Sequence, residues 1–303
     1  MQRKDGEASL LQRMKKSKVS YAMAAPYMIL FIVFTVLPVV ISICLSFTYY
    51  NLLESPSFVF ISNYRKLFVF DDVFLIALKN TLLLAIVTGP VSYFACFFLA
   101  WAINNFGRGV RAILTTVFYA PSISGAAYMI WSLMFSSDSY GLVNVTLTQM
   151  GIINAPIQWL ENPHYVLGAI MIVAVWMSLG TSFLAFIAGL QGVDRSLYEA
   201  GAVDGITNRF QELWYITMPQ MRPQLMFGAV IQITASFGIG DITSALAGFP
   251  SVDYAAHTVV NHIVDYGTVR FEMGYASAIA TVLFILMLGS NQLIQKLLRK
   301  VGS

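Results

Sequence analysis

Charge is scarce in this chain. Only 11% of its 303 residues are acidic or basic, and 57% are hydrophobic. Soluble domains carry about 25% charged residues, so the composition excludes a fold surrounded by water and makes lipid the solvent. Cysteine is almost missing. Cys44 and Cys96 both fall within apolar stretches, which leaves no disulfide framework or metal motif and reads them as small packing residues. No GxxxxGK[ST] stretch occurs, so the chain is not expected to bind or hydrolyse ATP itself. The three histidines, His164, His257 and His262, all fall in segments expected on the outer side, at no metal-ligand spacing, and are expected to be surface or packing residues. No catalytic cluster is visible, and neither a cofactor nor a nucleic-acid partner is expected.

Long apolar windows are what the chain has instead. A bilayer crossing needs about 20 largely apolar residues. Uncharged stretches run over 19–53, 80–107, 112–137, 162–193, 223–240 and 273–295. They predict helices near 24–47, 78–104, 112–135, 165–190, 222–246 and 275–298. The fifth fills a bilayer only if it continues past Asp241. Residues 1–23 are polar and basic, and the apolar run after them is too long for a signal-peptide core. The expected organisation is a tail over 1–23, one all-α membrane domain of six spans over 24–298, and a second tail over 299–303. Lys and Arg set the orientation. With the N-terminus inside, 14 of the 18 basic residues fall on the inner side. Both termini, and the loop between spans four and five, are therefore expected in the cytoplasm. Pro38, Pro90 and Pro121 lie within spans and are expected to break them.

The longest polar interruption is Tyr198–Pro219, YEAGAVDGITNRFQELWYITMP. Ser196 to Glu199 fits a capping box. The helix it opens should stop at Asp204-Gly205, where glycine takes positive φ. Asn208 with Gln211 marks a second helix start, and Pro219 and Pro223 suit the beginning of a long apolar helix. Val203, Ile206, Phe210, Leu213 and Trp214 are apolar residues on a polar loop, where such side chains need a partner surface.

This stretch resembles the EAA loop of permease subunits of binding-protein-dependent ABC importers. That pattern runs Glu-Ala-Ala, three residues, Gly, nine residues, Ile, one residue, Leu-Pro. Here Glu199-Ala200-Gly201 is followed after three residues by Gly205, and Ile216-Thr217-Met218-Pro219 closes the stretch. Ten residues, one more than the pattern, separate Gly205 from Ile216. Asn63-Tyr64-Arg65-Lys66-Leu67, Tyr140-Gly141-Leu142-Val143-Asn144 and Gly274-Tyr275-Ala276-Ser277-Ala278 follow in the order of the carbohydrate-uptake branch of that family. The resemblance implies a type I ABC importer permease fold in a bacterial cell membrane. It implies that the loop over 194–219 docks on an ATPase through Glu199, Ala200, Gly201, Asp204, Gly205, Phe210, Ile216 and Pro219. It also implies a second permease subunit, two cytoplasmic ATPase subunits that hydrolyse the ATP, and an extracytoplasmic solute-binding protein as partners.

Polar residues inside spans point to a solute path, because lipid does not tolerate them outward. The candidates are Asn80, Tyr119, Ser122, Ser124, Tyr128, Trp131, Trp176, Ser178, Thr181, Gln232 and Ser236. Their aromatic, amide and hydroxyl groups suit a sugar. The competing reading is that Ser and Thr pack helices and that Trp and Tyr populate interfaces. Asp241 falls roughly 28 Å along its helix, at 1.5 Å per residue, near the outer rim. An ion-gradient-driven secondary transporter is the alternative function. It requires ionisable residues at the midplane, for which only Asp241 offers itself. A membrane enzyme or scaffold would need a catalytic cluster at the interface.

Overall fold

The computed structural model describes residues 18–125 and 127–298. The expected C-terminal tail over 299–303, and all but the last residues of the expected N-terminal tail, lie outside the described residues. Three continuous helices and three bent pairs are long and apolar enough to cross a bilayer.

The first crossing joins α1 (Lys18–Phe31) through a π-helical turn (Ile32–Val36) to α2 (Leu37–Leu45). It begins before the expected residue 24 because Val19 to Ala25 continue the helix without interruption. Among the described residues α2 is held, lying along the last helix of the chain. Every residue from Pro26 to Pro38 is exposed. A two-stranded hairpin, β1 (Thr48–Tyr49) against β2 (Ser57–Phe58), follows. Asn63, on the short helix α3 (Ser62–Arg65), anchors this hairpin by donating to the carbonyls of Ser46 and Thr48, at 2.8 and 2.9 Å.

The second crossing, α4 (Asp72–Asn104), is the central pillar. Its 33 residues rise about 50 Å, well beyond the ~30 Å hydrocarbon layer. Asp71 caps it, accepting from the Phe74 N–H at 2.9 Å. The third crossing is α5 (Arg108–Ile123) and α6 (Ala127–Met134), followed by the peripheral α7 (Leu142–Gln149). The fourth is α8 (Val166–Met177) and α9 (Thr181–Gly192), bent by 40°. Two short helices, α10 (Arg195–Val203) and α11 (Arg209–Glu212), form the interruption, and a π-helical turn (Leu213–Thr217) leads through α12 (Met218–Gln220) to the fifth crossing. That crossing is α13 (Arg222–Phe237) and α14 (Gly240–Ala247), bent by 42°. After α15 (Val259–Val264), the last crossing is α16 (Met273–Leu298).

The core lies where α9 and α13 clasp α4. Phe183, Phe186, Cys96, Ala100 and Met221 are buried there in one cluster. Gly228 is required at this clasp: a Cβ on it would stand 2.3 Å from Phe186 Cζ. Small residues that let helices approach are the usual means of association where water supplies no driving force.

Proline does not break the spans as expected. Pro90 lies within the unbroken α4, and Pro38 starts a helix after the π-helical turn. Pro121 alone precedes a break, near the end of α5. The breaks in the fourth and fifth crossings centre on Ser178-Leu179-Gly180 and Gly238-Ile239, which contain no proline. In the first of these, the Ser178 hydroxyl turns back to the Val175 carbonyl at 2.6 Å. That side-chain bond offers the backbone an alternative to the helical ladder.

Candidate coupling loop and translocation path

The loop is a rigid object built by its own sequence. Asp194, not Ser196, caps α10, accepting from the Ser196 N–H at 3.0 Å, so the expected capping box is replaced by a cap two residues earlier. At the other end Gly205 has φ +92°. Its N–H bonds the Ala202 carbonyl at 3.3 Å, and the Ile206 N–H bonds the Gly201 carbonyl at 2.9 Å. This pair of bonds is the Schellman closure, and only glycine takes its left-handed position without strain. Asn208 then caps α11 through the N–H groups of Phe210 and Gln211, while Gln211 accepts from the Thr207 N–H at 3.1 Å.

Two contacts fold the halves together. Gly201 is buried beneath Ile216, and a Cβ on Gly201 would lie 2.6 Å from Ile216 Cδ1. The Tyr198 hydroxyl meets the Thr217 hydroxyl at 2.9 Å. Glycine thus stands where the EAA pattern has its second alanine because the Ile216 methyl takes that space. The extra residue between Gly205 and Ile216 is also accounted for. A π-helical turn, with its i→i+5 bonds, holds one more residue than the α turn it replaces. The turn over Leu213–Thr217 absorbs the addition and keeps Ile216 on Gly201.

Of the loop residues singled out from sequence, Gly201 and Ile216 face each other inside. Glu199, Ala200, Asp204, Gly205, Phe210 and Pro219 are exposed. Among the apolar set, Leu213 is buried and Ile206 half-buried, so these two need no outside partner. Val203, Phe210 and Trp214 remain 88%, 66% and 60% exposed, and Tyr215 joins them at 67%.

The breaks in the fourth and fifth crossings converge beside α4. A cavity of about 170 Å³ lies between them, lined by Thr88 and Ser92 of α4, Met177 and Ser178 at the fourth break, and Gln232, Ser236 and Ile239 at the fifth. Gln232 is 3% exposed, and its amide donates to the Ser182 hydroxyl at 2.6 Å and the Ser178 carbonyl at 3.2 Å. Gly180 approaches Ser122 closely, its Cβ position 3.3 Å from Ser122 Cβ. Trp176 and Trp131 meet edge to face, 5.4 Å between ring centres. From Trp131 a ladder of rings continues through Phe135 and Trp159 to Tyr165. The buried Trp131 Nε1 has no hydrogen-bond partner among the described residues. Tyr119 and Tyr128 are half-buried, while Ser124, Thr181 and Asp241 are exposed, Asp241 in the first turn of α14 at the fifth break. Phe135, Trp159 and Tyr165 were not among the path candidates read from the sequence, since Trp159 lies outside the long apolar windows.

Asn80 has a different setting. Its amide group points at the carbonyls of Tyr254, Ala255 and His257, at 3.0–3.2 Å, and fastens that loop to α4. Next to it lies an unforeseen buried network. Asp71 accepts from the Tyr275 hydroxyl at 2.7 Å and pairs with His262 Nε2 at 3.0 Å, and His262 Nδ1 meets His257 Nε2 at 3.2 Å. Burial pushes the Asp71 carboxyl up, but the bonds from His262, Tyr275 and the Phe74 N–H outweigh it and hold it well below the usual carboxylate range. Burial, with His262 beside it, brings His257 down to about 4. His257 and His262 are thus packing residues of a particular kind, and His164 is exposed.

The fold is that of a helical membrane protein with a small cavity between its second, fourth and fifth crossings and a folded two-helix loop between the fourth and fifth. Comparison with known proteins makes this specific: the chain belongs to the family of binding-protein-dependent transport system inner membrane components, whose family model matches residues 97–302. It is a permease subunit of an ABC importer, and the secondary-transporter alternative finds no support. It is 33% identical to the probable ABC transporter permease YesP of Bacillus subtilis, over 90% of this chain and 88% of that one. It is 30% identical to the arabinooligosaccharide permease AraP of the same organism, over 90% and 86%, and 30% identical to the trehalose/maltose permease MalF of Thermococcus litoralis, over 90% and 91%. A chain from the crystal structure of a bacterial ABC transporter that imports the acidic polysaccharide alginate has the same fold, with a TM-score of 0.74 at 22% identity over 98% of this chain and all of that one.

Proposed function

We propose that this permease carries a sugar or oligosaccharide across a bacterial cell membrane, and that its lever is the contact through which a separate ATPase drives it. The observation that carries the coupling half is the exposure of Val203, Trp214 and Tyr215, and of Phe210 beside the Trp101 ring. These exposed apolar side chains stand on a scaffold whose ends are all capped internally. A lever must be rigid to pass force, and this one is fixed by two glycines, two caps and the Gly201–Ile216 contact. Glu199, Ala200, Asp204, Gly205 and Phe210 line the face offered to the ATPase. Gly201 and Ile216 shape it from behind, and Pro219 ends it. Both termini and the lever face the cytoplasm, where two ATPase subunits close on ATP, push the lever and turn the crossings outward-open. Hydrolysis in the ATPases resets them, and this chain performs no catalysis.

The carbohydrate half rests on the relatives, which are named for arabinooligosaccharides and for trehalose or maltose, and on the ring ladder beside the cavity. Aromatic faces with a few placed polar groups are the usual lining of a sugar site. The unpaired Trp131 Nε1 would donate to a sugar hydroxyl, with Tyr119, Ser122, Tyr128, Trp176, Gln232 and Ser236 nearby along the path. Asn80 supports the wall. The bare first crossing supports a second permease subunit as its neighbour, and an extracytoplasmic solute-binding protein would deliver to the pair.

The test is co-purification with the ATPase subunits after Val203→Asp or Trp214→Asp. Both side chains are exposed, so the fold should stand while ATPase recovery and uptake fall at least about tenfold, as for loss of an interface anchor. Undiminished recovery and uptake in both variants would end the coupling proposal.

A further inference from the structure

At the lever end of the molecule lies a second, larger cavity of about 850 Å³. It opens between the turn joining α4 to α5 and the two-helix lever. Four arginines line it: Arg108 and Arg111 from α5, Arg195 from α10 and Arg209 from α11. Glu212 is its one acidic lining residue. None of the four guanidinium groups is paired with a carboxylate among the described residues, whose ion pairs are all at the opposite end: Lys66–Glu272, His262–Asp71 and Arg270–Asp265. Arg111 donates to the Asn104 side-chain carbonyl at 3.3 Å, and Arg209 donates to that of Asn105. These are neutral acceptors, and four arginines against one glutamate leave the lining with a net positive charge.

A further feature adds to this field. The 16-residue α5 starts at the cavity from Gly107, with no side chain capping it. The free N–H groups of its first turn therefore add positive potential where Arg108 already stands. Concentrated like charge held open by a folded scaffold is costly without a counter-ion. Guanidinium groups with backbone N–H donors match phosphate oxygens in number and geometry. A volume of 850 Å³ exceeds a single phosphate and suits a ligand of headgroup or nucleotide size.

We propose that this cavity binds a phosphate-bearing anion. The anion would bridge the α4–α5 turn to the lever, so that its presence fixes the lever against the crossings and tunes the transmission of force. That regulatory consequence rests on the coupling reading above; the binding itself does not. The phosphate comes either from an anionic phospholipid headgroup or from a soluble phosphate compound, and Trp101 and Leu213 on the wall give an acyl-linked headgroup apolar contact.

The experiment uses the full-length chain in nanodiscs, as wild type, as the double variant Arg108→Gln/Arg195→Gln, and as the opposite-end control Arg65→Gln. Among the described residues no hydrogen bond or ion pair ties the Arg108 or Arg195 side chain, so the double variant should fold, which its melting curve checks. One arm measures retained lipid by native mass spectrometry in mixed phosphatidylcholine and phosphatidylglycerol. The other titrates pyrophosphate into protein held in phosphatidylcholine alone. Wild type and Arg65→Gln should bind at least one probe, and the double variant should bind it at least about tenfold more weakly, the loss expected for charge-assisted bonds. Enrichment of phosphatidylglycerol identifies the lipid source, and pyrophosphate binding alone identifies the soluble one; either supports the site. Equal binding of both probes by wild type and double variant, or binding of neither, overturns it. Binding of neither with reduced ATPase co-purification in the double variant also overturns it, assigning the arginines to an acidic segment of the ATPase instead.

Discussion

Gly201→Ala restores the alanine of the EAA pattern and should nevertheless destabilise this lever. The new Cβ would stand 2.6 Å from Ile216 Cδ1 and 3.2 Å from Ile206 Cδ1. Ile216 is packed at 9% exposure, so its end has little room to turn aside. Overpacking of this kind costs about 1–3 kcal/mol. Replacing glycine inside a helix returns about 1 kcal/mol. The net loss should be about 1 kcal/mol, roughly 2–4 °C in Tm for a chain of this size. Ile216→Val removes the offending Cδ1 and leaves Cγ1 at an ordinary 3.7 Å. Alone it should cost about 1 kcal/mol. Combined, the two changes should be no worse than Ile216→Val by itself, a favourable coupling of about 1 kcal/mol between neighbours. Thermal unfolding of the four proteins closes this cycle. ATP hydrolysed per solute imported by the reconstituted complex should rise in Gly201→Ala and recover in the double variant. Additivity within about 0.3 kcal/mol would refute the contact as the reason for glycine.

Other expectations follow from the same geometry. Gly274→Ala places a Cβ 2.1 Å from the Thr48 carbonyl oxygen; backbone cannot turn aside, so the loss should reach about 3 kcal/mol, read by thermal unfolding. Asn80→Leu strands three loop carbonyls and should cost about 1–3 kcal/mol, with faster hydrogen exchange across 252–258. Stability should fall with acidification. His257 is held down at about 4 against an ordinary 6.5, so the unfolded chain takes its proton first; its contribution is complete above 6.5 and is lost towards 4, about 3 kcal/mol in all. Asp71 acts in the same direction at lower pH, since a depressed carboxyl adds stability above its unfolded pKa and loses it below. His262, Asp265 and Arg270 share that field, so His257→Asn should flatten the melting profile between pH 6.5 and 4 without abolishing the lower step.

The ends of the crossings were legible because lipid imposes one rule over about 20 residues and charge marks its limits. The lever was legible because Gly205, Asn208 and the prolines each act on their immediate neighbours. The cap at Asp194 was misplaced by two residues because aspartate and serine both serve, and the choice depends on where the fourth crossing releases the chain. The breaks at Gly180 and Gly238 were missed because a lone glycine in an apolar run signals little until a neighbouring helix presses on it. The Asp71–His262–Tyr275 network was invisible for another reason: its members lie 191 and 204 residues apart and meet only after folding. The extra lever residue was countable from the sequence, but the π-helical turn that absorbs it needed the packing of Ile216.

The bare stretch from Pro26 to Pro38 bears on how much of this subunit a cell can keep. These thirteen consecutive exposed side chains leave that part of the span to be covered by lipid or by a neighbouring subunit. The lifetime of the molecule should depend on the supply of whatever leans on that stretch, and any surplus would be open to membrane proteases. Where a subunit rather than lipid covers the stretch, matched dosage of the two would follow from the first helix alone, independent of what is transported.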